Sequence, residues 1–295
     1  MIVFAGPGVA GAIRNQFNLV GNTLNSGTNG GTEGGGASGG GSTGADSATV
    51  QAAVAKDAKD WTLDEQKAVA TDIAKNGTSS VVYAKAEAAM DAGTKFSAKL
   101  TNGQTLTYRI IGINHDDLAD GSGKAGLTFL TTSTTISSRM NATDANAGGW
   151  EKSELRAKMN SGEVWNLMPP DLQSKVKSVT KLTNNVGGGW ENTNAAVTAT
   201  TDKLFLLSYS EIVPTSYWAS SKPWTTSEGT QYEAFKGKVT DNYSGNACLQ
   251  IGSYWWDRSV NPSASDSFLF VDTNGVPSYG YYATISRCVC PAFCF

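Results

Sequence analysis

Two periodicities divide the chain. From Thr62 to Lys75 the apolar Leu63, Val69, Ala70 and Ile73 suit one face of a helix. Thr62 caps this helix, Glu65 completes a capping box three residues on, and Asn76-Gly77 stops it. Ser80 to Asp91 reads as a second, weaker helix that ends at Ala92-Gly93. From Lys95 the period falls to two. "KFSAKLTNGQTLTYRIIGI" predicts two strands around an Asn102-Gly103 turn, with Phe96, Ala98 and Leu100 on one side and Leu106, Tyr108 and Ile110 matching them. Leu127 to Thr131 is a further strand, and Ser153 to Ser161 a short helix carrying Leu155 and Met159. Pro169-Pro170 opens "DLQSKVKSVTKL", a helix running towards a strand, and "LFLLS" at Leu204 to Ser208 reads as a fully buried strand. Closing hairpins follow, with a turn about Asn274-Gly275. Helices and short strands in this mixture predict an α+β fold with long ordered loops.

Ahead of these elements, Gly27 to Ser47 is Gly/Ser-rich and predicts a flexible linker. Residues 1–26 begin with the apolar Ile2, Val3 and Phe4. Their apolar patch, which runs only from Ile2 to Ile13, is too short for a membrane span, and the segment lacks the basic start and cleavage signature of a signal peptide. Their "AGP" run and Asn-rich end resemble the mature end of the stalk helix in Flp/Tad-type pilins, which implies anchoring to a membrane or pilus, or self-assembly. The expected organisation is therefore 1–26 anchor or assembly segment, 27–47 linker, 48–93 helical segment and 94–295 main domain. The last is expected to fold as a unit, with 48–93 packed on it or dispensable.

Net charge is −3 and no Lys/Arg stripe stands out, which argues against nucleic acid as a partner. Low charge with abundant Gly, Ser, Thr and Asn suits an extracellular or virion protein better than a cytosolic enzyme. The four cysteines, Cys248, Cys288, Cys290 and Cys294, lie near the C-terminus and allow three pairings. Cys288 and Cys290 are awkward partners, sharing one face of a strand, so a longer bridge such as Cys248 to Cys294 is favoured. A metal reading of C-x-C-x3-C lacks a local fourth ligand. Asp116, Asp117 and Asp120 in "NHDDLADGSG" could offer oxygens to calcium, but their spacing is not that of an EF-hand, and a turn stabilised by Asp side chains is preferred. His115 has no suggested Ser or Cys partner, and no metal, cofactor or catalytic residue is expected. "GGW" occurs at Gly148–Trp150 and Gly188–Trp190, each expected to seat an indole in the core.

Several motifs come in order: "YRIIGINHDDLADGSGKAGLTFLT", "NAGGWEKSELRAKMNSGEVWNLMP", "TTDKLFLLSYSEI", "EGTQYEAF" and "YWWDRS…VDTNGV…CVCPAFCF". Over residues 94–295 they resemble a bacterial and phage surface domain of the C-type-lectin-like class, in the group that includes formylglycine-generating enzymes. Many such domains are variable proteins of diversity-generating retroelements. Tyr254, Trp255, Trp256, Arg258, Ser259, Phe268, Val271, Gly275, Val289, Pro291, Ala292 and Phe293 match the family's C-terminal pattern, whereas Asp257 replaces a Leu and Cys288 and Cys290 replace Gly and Arg. The resemblance implies a C-type-lectin-like fold with short twisted antiparallel sheets, two main helices and a variable region at about 253–295. Adenine-directed rewriting never yields Lys, Glu, Trp or Met, and none follows Trp256 here.

Between the apolar anchors Trp255, Phe268, Phe270, Val271, Val289 and Phe293 lie Asp257, Ser259, Asn261, Ser263, Ser265, Asp266, Ser278, Tyr279, Tyr281, Tyr282, Thr284 and Ser286. Tyr gives stiff contact area with a polar tip, and Ser, Asn and Asp give adaptable hydrogen bonds. These twelve are the expected ligand-binding residues, converging on one exposed face. The implied function is a surface-displayed, receptor- or adhesin-like protein, on a cell or a phage particle, binding a protein or glycan on another cell or particle. A pilus or fibre subunit without its own ligand, and an oxidase using Cys288 and Cys290, are the alternatives.

Overall fold

The computed structural model describes residues 47–189, 197–214, 228–277 and 279–295. The apolar segment 1–26, linker residues 27–46, Trp190 and Ser278 lie outside them. Among the described residues, three α-helices come first: α1 (Ala48–Ala55), α2 (Leu63–Asn76) and α3 (Tyr83–Asp91). The strands are β1 (Lys95–Lys99), β2 (Thr105–Ile113), β3 (Leu127–Thr131), β4 (Ser137–Ser138), β5 (Val179–Asn184), β6 (Val197–Asp202), β7 (Trp255–Val260), β8 (Ser267–Val271), β9 (Tyr279–Tyr282), β10 (Arg287–Cys288) and β11 (Ala292–Cys294). Short helices α4 (Gly149–Lys152), α5 (Glu154–Asn160), α6 (Glu163–Leu167) and α7 (Pro170–Lys175) precede β5, and α8 (Tyr209–Ile212) follows β6. The fold is α+β with short, mostly antiparallel sheets. Among the described residues, no helix is long and apolar enough to cross a membrane.

Local signals set the first half. Thr62 Oγ1 accepts from the Glu65 amide, and Glu65 Oε2 accepts from the Thr62 amide, closing the capping box of α2. Gly103, at φ 83°, turns the β1–β2 hairpin, whose register pairs Phe96 with Tyr108 and Ala98 with Leu106. The order β1-β2-β3-β11 makes the first sheet. Segment 48–93 is packed on it and shares its core. Trp61 stacks on Phe96 with ring centroids 6.4 Å apart, and the Tyr108 hydroxyl donates to Gln66 Oε1 at 3.1 Å. A Cβ on Gly126 would lie 1.8 Å from the Ala70 carbonyl oxygen, so only glycine lets α2 approach this closely.

The second sheet runs β4-β10-β7-β8-β9 and leaves β9 on its edge. The chain passes between the sheets near its end: β10 pairs with β4 and β7, and β11 with β3. The helix opened by Pro170 ends at Lys175 and leads into β5, as the sequence reading expected; Val176 is extended and the Lys177 amide donates to the Cys294 carbonyl. One element differs from that reading. Leu204 to Ser208 is buried but forms one bridge, Phe205 to Ala292, rather than a strand. The Arg258 guanidinium and amide take the Leu206 and Leu207 carbonyls that a neighbouring strand would otherwise use.

Candidate functional site

The exposed aromatic surface arises from the edge position of β9. Tyr279 pairs with Phe270 and Tyr281 with Phe268, so both tyrosines share a sheet face with Phe270. Trp256 pairs with Phe270 on the next strand and extends this aromatic row. Tyr282 alternates to the other face, yet its ring meets Tyr281 edge-on at 5.4 Å around the sheet edge. All three tyrosines are exposed by between 43% and 49%, whereas Phe270 beneath them is buried.

Arg287 enters from β10 and lies across this face. Its guanidinium carbon is 3.9 Å from the Phe270 ring centre, 4.6 Å from Tyr281, 4.9 Å from Tyr254 and 5.4 Å from Trp256. Such stacking attracts a cation to the ring quadrupoles and fixes its plane. Burial draws the pKa of this guanidinium downwards, with Tyr281 and Tyr254 opposing, and its Nε is buried without a hydrogen-bond partner. Tyr254, Phe270, Asp272, Tyr279, Tyr281, Ile285 and Arg287 line a cleft of about 540 Å³. Three tyrosines, one acid and one cation around Phe270 and Ile285 combine aromatic surface with polar groups able to orient a ligand.

The residues expected to converge divide into separate groups. Asp257 and Ser259 are buried, which corrects their expected exposure. Between Trp256–Phe270 and Val260–Phe268 the register of β7 slips: four residue steps on β7 face two on β8. This bulge suspends alternation and turns the segment inward. Ser259 Oγ donates to Glu228 Oε2 and accepts from the Tyr209 amide, while Asp257 Oδ1 accepts from the Ser259 amide. Asn261, Ser263, Ser265 and Asp266 form the β7–β8 turn at the Tyr282 end. Their polar groups are partly engaged within it: Asn261 Oδ1 accepts from the Ser263 amide and hydroxyl, and Asp266 Oδ1 from Ser267 Oγ. Thr284 donates its amide and hydroxyl to Asp144, and Ser286 is exposed. Ser278 is outside the described residues. The cleft thus holds Tyr279 and Tyr281 of the twelve, with Tyr282 at its rim.

A polar core lies behind β7. Arg258, fully buried, donates to both Glu211 carboxylate oxygens at 2.5 and 3.1 Å, to Thr183 Oγ1, and to the Leu182, Leu206 and Glu228 carbonyls. Lys181 pairs with Glu211 and, at 2.5 Å, with Asp116. Burial opposes charge on Asp116, but Lys181 and then His115 outweigh it and hold the carboxyl at about 2. Burial, with lesser help from Glu228, pushes the Asp257 carboxyl well above its usual range. The three loop acids do not converge: Asp116 faces Lys181, Asp117 pairs with Lys124, and Asp120 accepts from Ser122. His115 Nδ1 lies 3.1 Å from Glu233 and its ring stacks on Tyr232. Among the described residues, no group of three or more His, Cys, Asp or Glu could hold a metal ion.

All four cysteines are free, which corrects the expected Cys248 to Cys294 bridge. Cys294 Sγ instead lies 3.3 Å from Thr128 Oγ1, while the Cys248 carbonyl accepts from Arg109 Nη2. Trp150 is buried as its GGW motif suggested, its Nε1 donating to Asp202.

Sequence reasoning passed over Arg287. One signal pointed to it: after Arg258 it is the sole Lys or Arg in the sequence. Tyr254 was visible only as part of a motif, since its place beside Arg287 depends on the parallel pairing of β10 with β7. No curated protein and no solved structure is matched by the chain. The model of a family described as Domain of unknown function (DUF6273) matches residues 125–295, which carry every residue lining the cleft, and the chain belongs to that family.

Proposed function

We propose that this chain is a ligand-binding protein of receptor or adhesin type, displayed on a cell surface or phage particle, whose C-terminal face takes a protein or glycan. The observation that carries the reading is the cleft bounded by Tyr254, Tyr279, Tyr281 and Arg287 on an edge strand. Stiff aromatic side chains that are already exposed give contact area at little entropic cost. We read the fold as C-type-lectin-like and the segment about 253–295 as a variable region of the retroelement-linked kind. The ordered motifs support this, as does a tail that combines buried Trp255, Phe268 and Phe293 with exposed Tyr279, Tyr281, Tyr282 and Ser286. Residues 1–26 are the proposed anchor or assembly segment. The binding reading is favoured over an oxidase because Cys288 and Cys290 are buried, and burial pushes the Cys290 thiol well above its usual range.

The test replaces Tyr279, Tyr281 and Tyr282 together by Ser in the full chain. Retention on a panel of immobilised proteins and glycans is compared with the parent, alongside thermal melting. Loss of the parent's retention with melting changed by only a few degrees is expected, since exposed side chains contribute little stability. Undiminished retention, or a collapse in melting temperature, would overturn the reading.

A further inference from the structure

Among the described residues, the cleft holds one cation and one acid, and neither is matched to the other. Arg287 forms no ion pair within the described residues; its guanidinium is held in place by rings instead. A planar fork fixed in this way is prepared for two parallel hydrogen bonds to a carboxylate, with little ordering left for the ligand to induce. Asp272 lines the same cleft. Its Oδ1 accepts from the Asn274 and Val276 amides, each at 2.8 Å, which fixes the carboxylate. Its Oδ2 has no partner among the described residues and is an acceptor for a hydroxyl. The Tyr279 and Tyr281 rings, both about half exposed, supply an apolar platform beside these two groups.

The ligand that answers all three features carries one carboxylate, several hydroxyls and an apolar ring face. A polyacidic peptide would set further negative charge against Asp272. A neutral sugar would leave Arg287 without a counter-charge. We propose that the cleft takes a carboxylated sugar unit of an acidic glycan, with its carboxylate on Arg287, its ring face on the tyrosines and a hydroxyl on Asp272. This rests on the reading of the C-terminal face as a binding site. The cleft volume, about 540 Å³, falls in the range of small-molecule sites, about 300–1,000 Å³.

The experiment titrates the full chain by calorimetry with three probes: a glucuronate oligosaccharide, the matching glucose oligosaccharide, and a tetraglutamate peptide. Saturable binding of the glucuronate probe is expected, with the glucose probe at least about tenfold weaker, as loss of a charged hydrogen-bonded partner implies. Arg287→Gln should weaken the glucuronate probe by a similar factor. Arg287→Lys, which keeps the charge but loses the fork, should also weaken it while preserving the fold. Equal binding of the two sugars, absence of saturable glucuronate binding, or tighter binding of tetraglutamate would each overturn the proposal. The failures are separable. If the tyrosine variant still loses panel retention while the two sugars bind alike, the acidic-glycan assignment falls and the binding face stands. If that variant keeps its retention, the binding reading itself falls.

Discussion

Arg258→Met probes the polar core with a side chain of similar length and no charge. Arg258 is fully buried and bonds both oxygens of Glu211, Thr183 Oγ1 and three backbone carbonyls. Methionine would leave the Leu182, Leu206 and Glu228 carbonyls without this donor. It would also leave Glu211 and Asp116 sharing Lys181 as their remaining cation. Breaking a buried pair from one side costs about 3–5 kcal/mol. Lys181 still faces Glu211, so the lower end applies: about 3 kcal/mol, or a fall of about 6–12 °C in Tm at about 2–4 °C per kcal/mol for a chain of this size. The loss should depend on pH. In the parent, burial opposes charge on Glu211, but Arg258 and then Lys181 overcome it and lower its pKa. Stability from such a group is present above its unfolded pKa and is lost as pH falls through the folded one. Without Arg258, burial raises the folded pKa of Glu211, and the variant then loses stability as pH rises. The gap between parent and variant should therefore be wider at pH 8 than at pH 5. Thermal melts followed by circular dichroism at both values provide the measurement, with Arg139→Met at a half-exposed position as control. An Arg258→Met loss no larger than that of the control, or a gap independent of pH, would refute the account of the network.

Trp255→Ala and Phe293→Ala should each cost about 3–5 kcal/mol, since both rings are buried; unchanged denaturant midpoints in the two variants would contradict their place in the core. Asp257→Asn should raise Tm at pH 8 relative to pH 4. The carboxyl's folded pKa is raised by burial, so its stability is complete below the unfolded value and is lost as pH rises, whereas the amide is insensitive to pH. A parent-to-variant difference that stays constant across this range would count against a protonated, buried Asp257.

The features legible in the sequence were those decided within a few residues. The capping box of α2, the Gly103 hairpin and the strand Leu127–Thr131 follow from local spacing. Trp255 and Phe293 were legible as core because both are large and apolar and stand at anchor positions of the C-terminal motifs. Taking the polar residues between such anchors as outward-facing misplaced Asp257 and Ser259, since that assumes an unbroken strand and β7 bulges there. The LFLLS segment misled in a related way. Its apolar run signalled burial correctly, but its carbonyls go to scattered donors: Phe205 to the Ala292 amide, Leu206 to the Arg258 guanidinium and Leu207 to the Arg258 amide. The tyrosines were legible as exposed, whereas the cleft they border was not. All its lining residues lie within 254–287, but its cation reaches Tyr254 and Phe270 only through the parallel pairing of β10 with β7, which no local spacing reveals.

The crossing of the chain between the two sheets has a kinetic consequence. Ala292, Phe293 and Cys294 pair with Leu130, Phe129 and Thr128, far earlier in the sequence, and Cys288 pairs with Trp255 and Ser137. Until β10 and β11 arrive, β3 keeps an open edge and the second sheet lacks the strand joining β4 to β7. Contacts of such long range close slowly, because loop entropy is lost before they form. During synthesis the first sheet must therefore wait, its unpaired edge open to other chains, until the segment after the tyrosines has left the ribosome. The twelve proposed binding positions, Asp257 to Ser286, are thus translated just before the two short strands that lock both sheets.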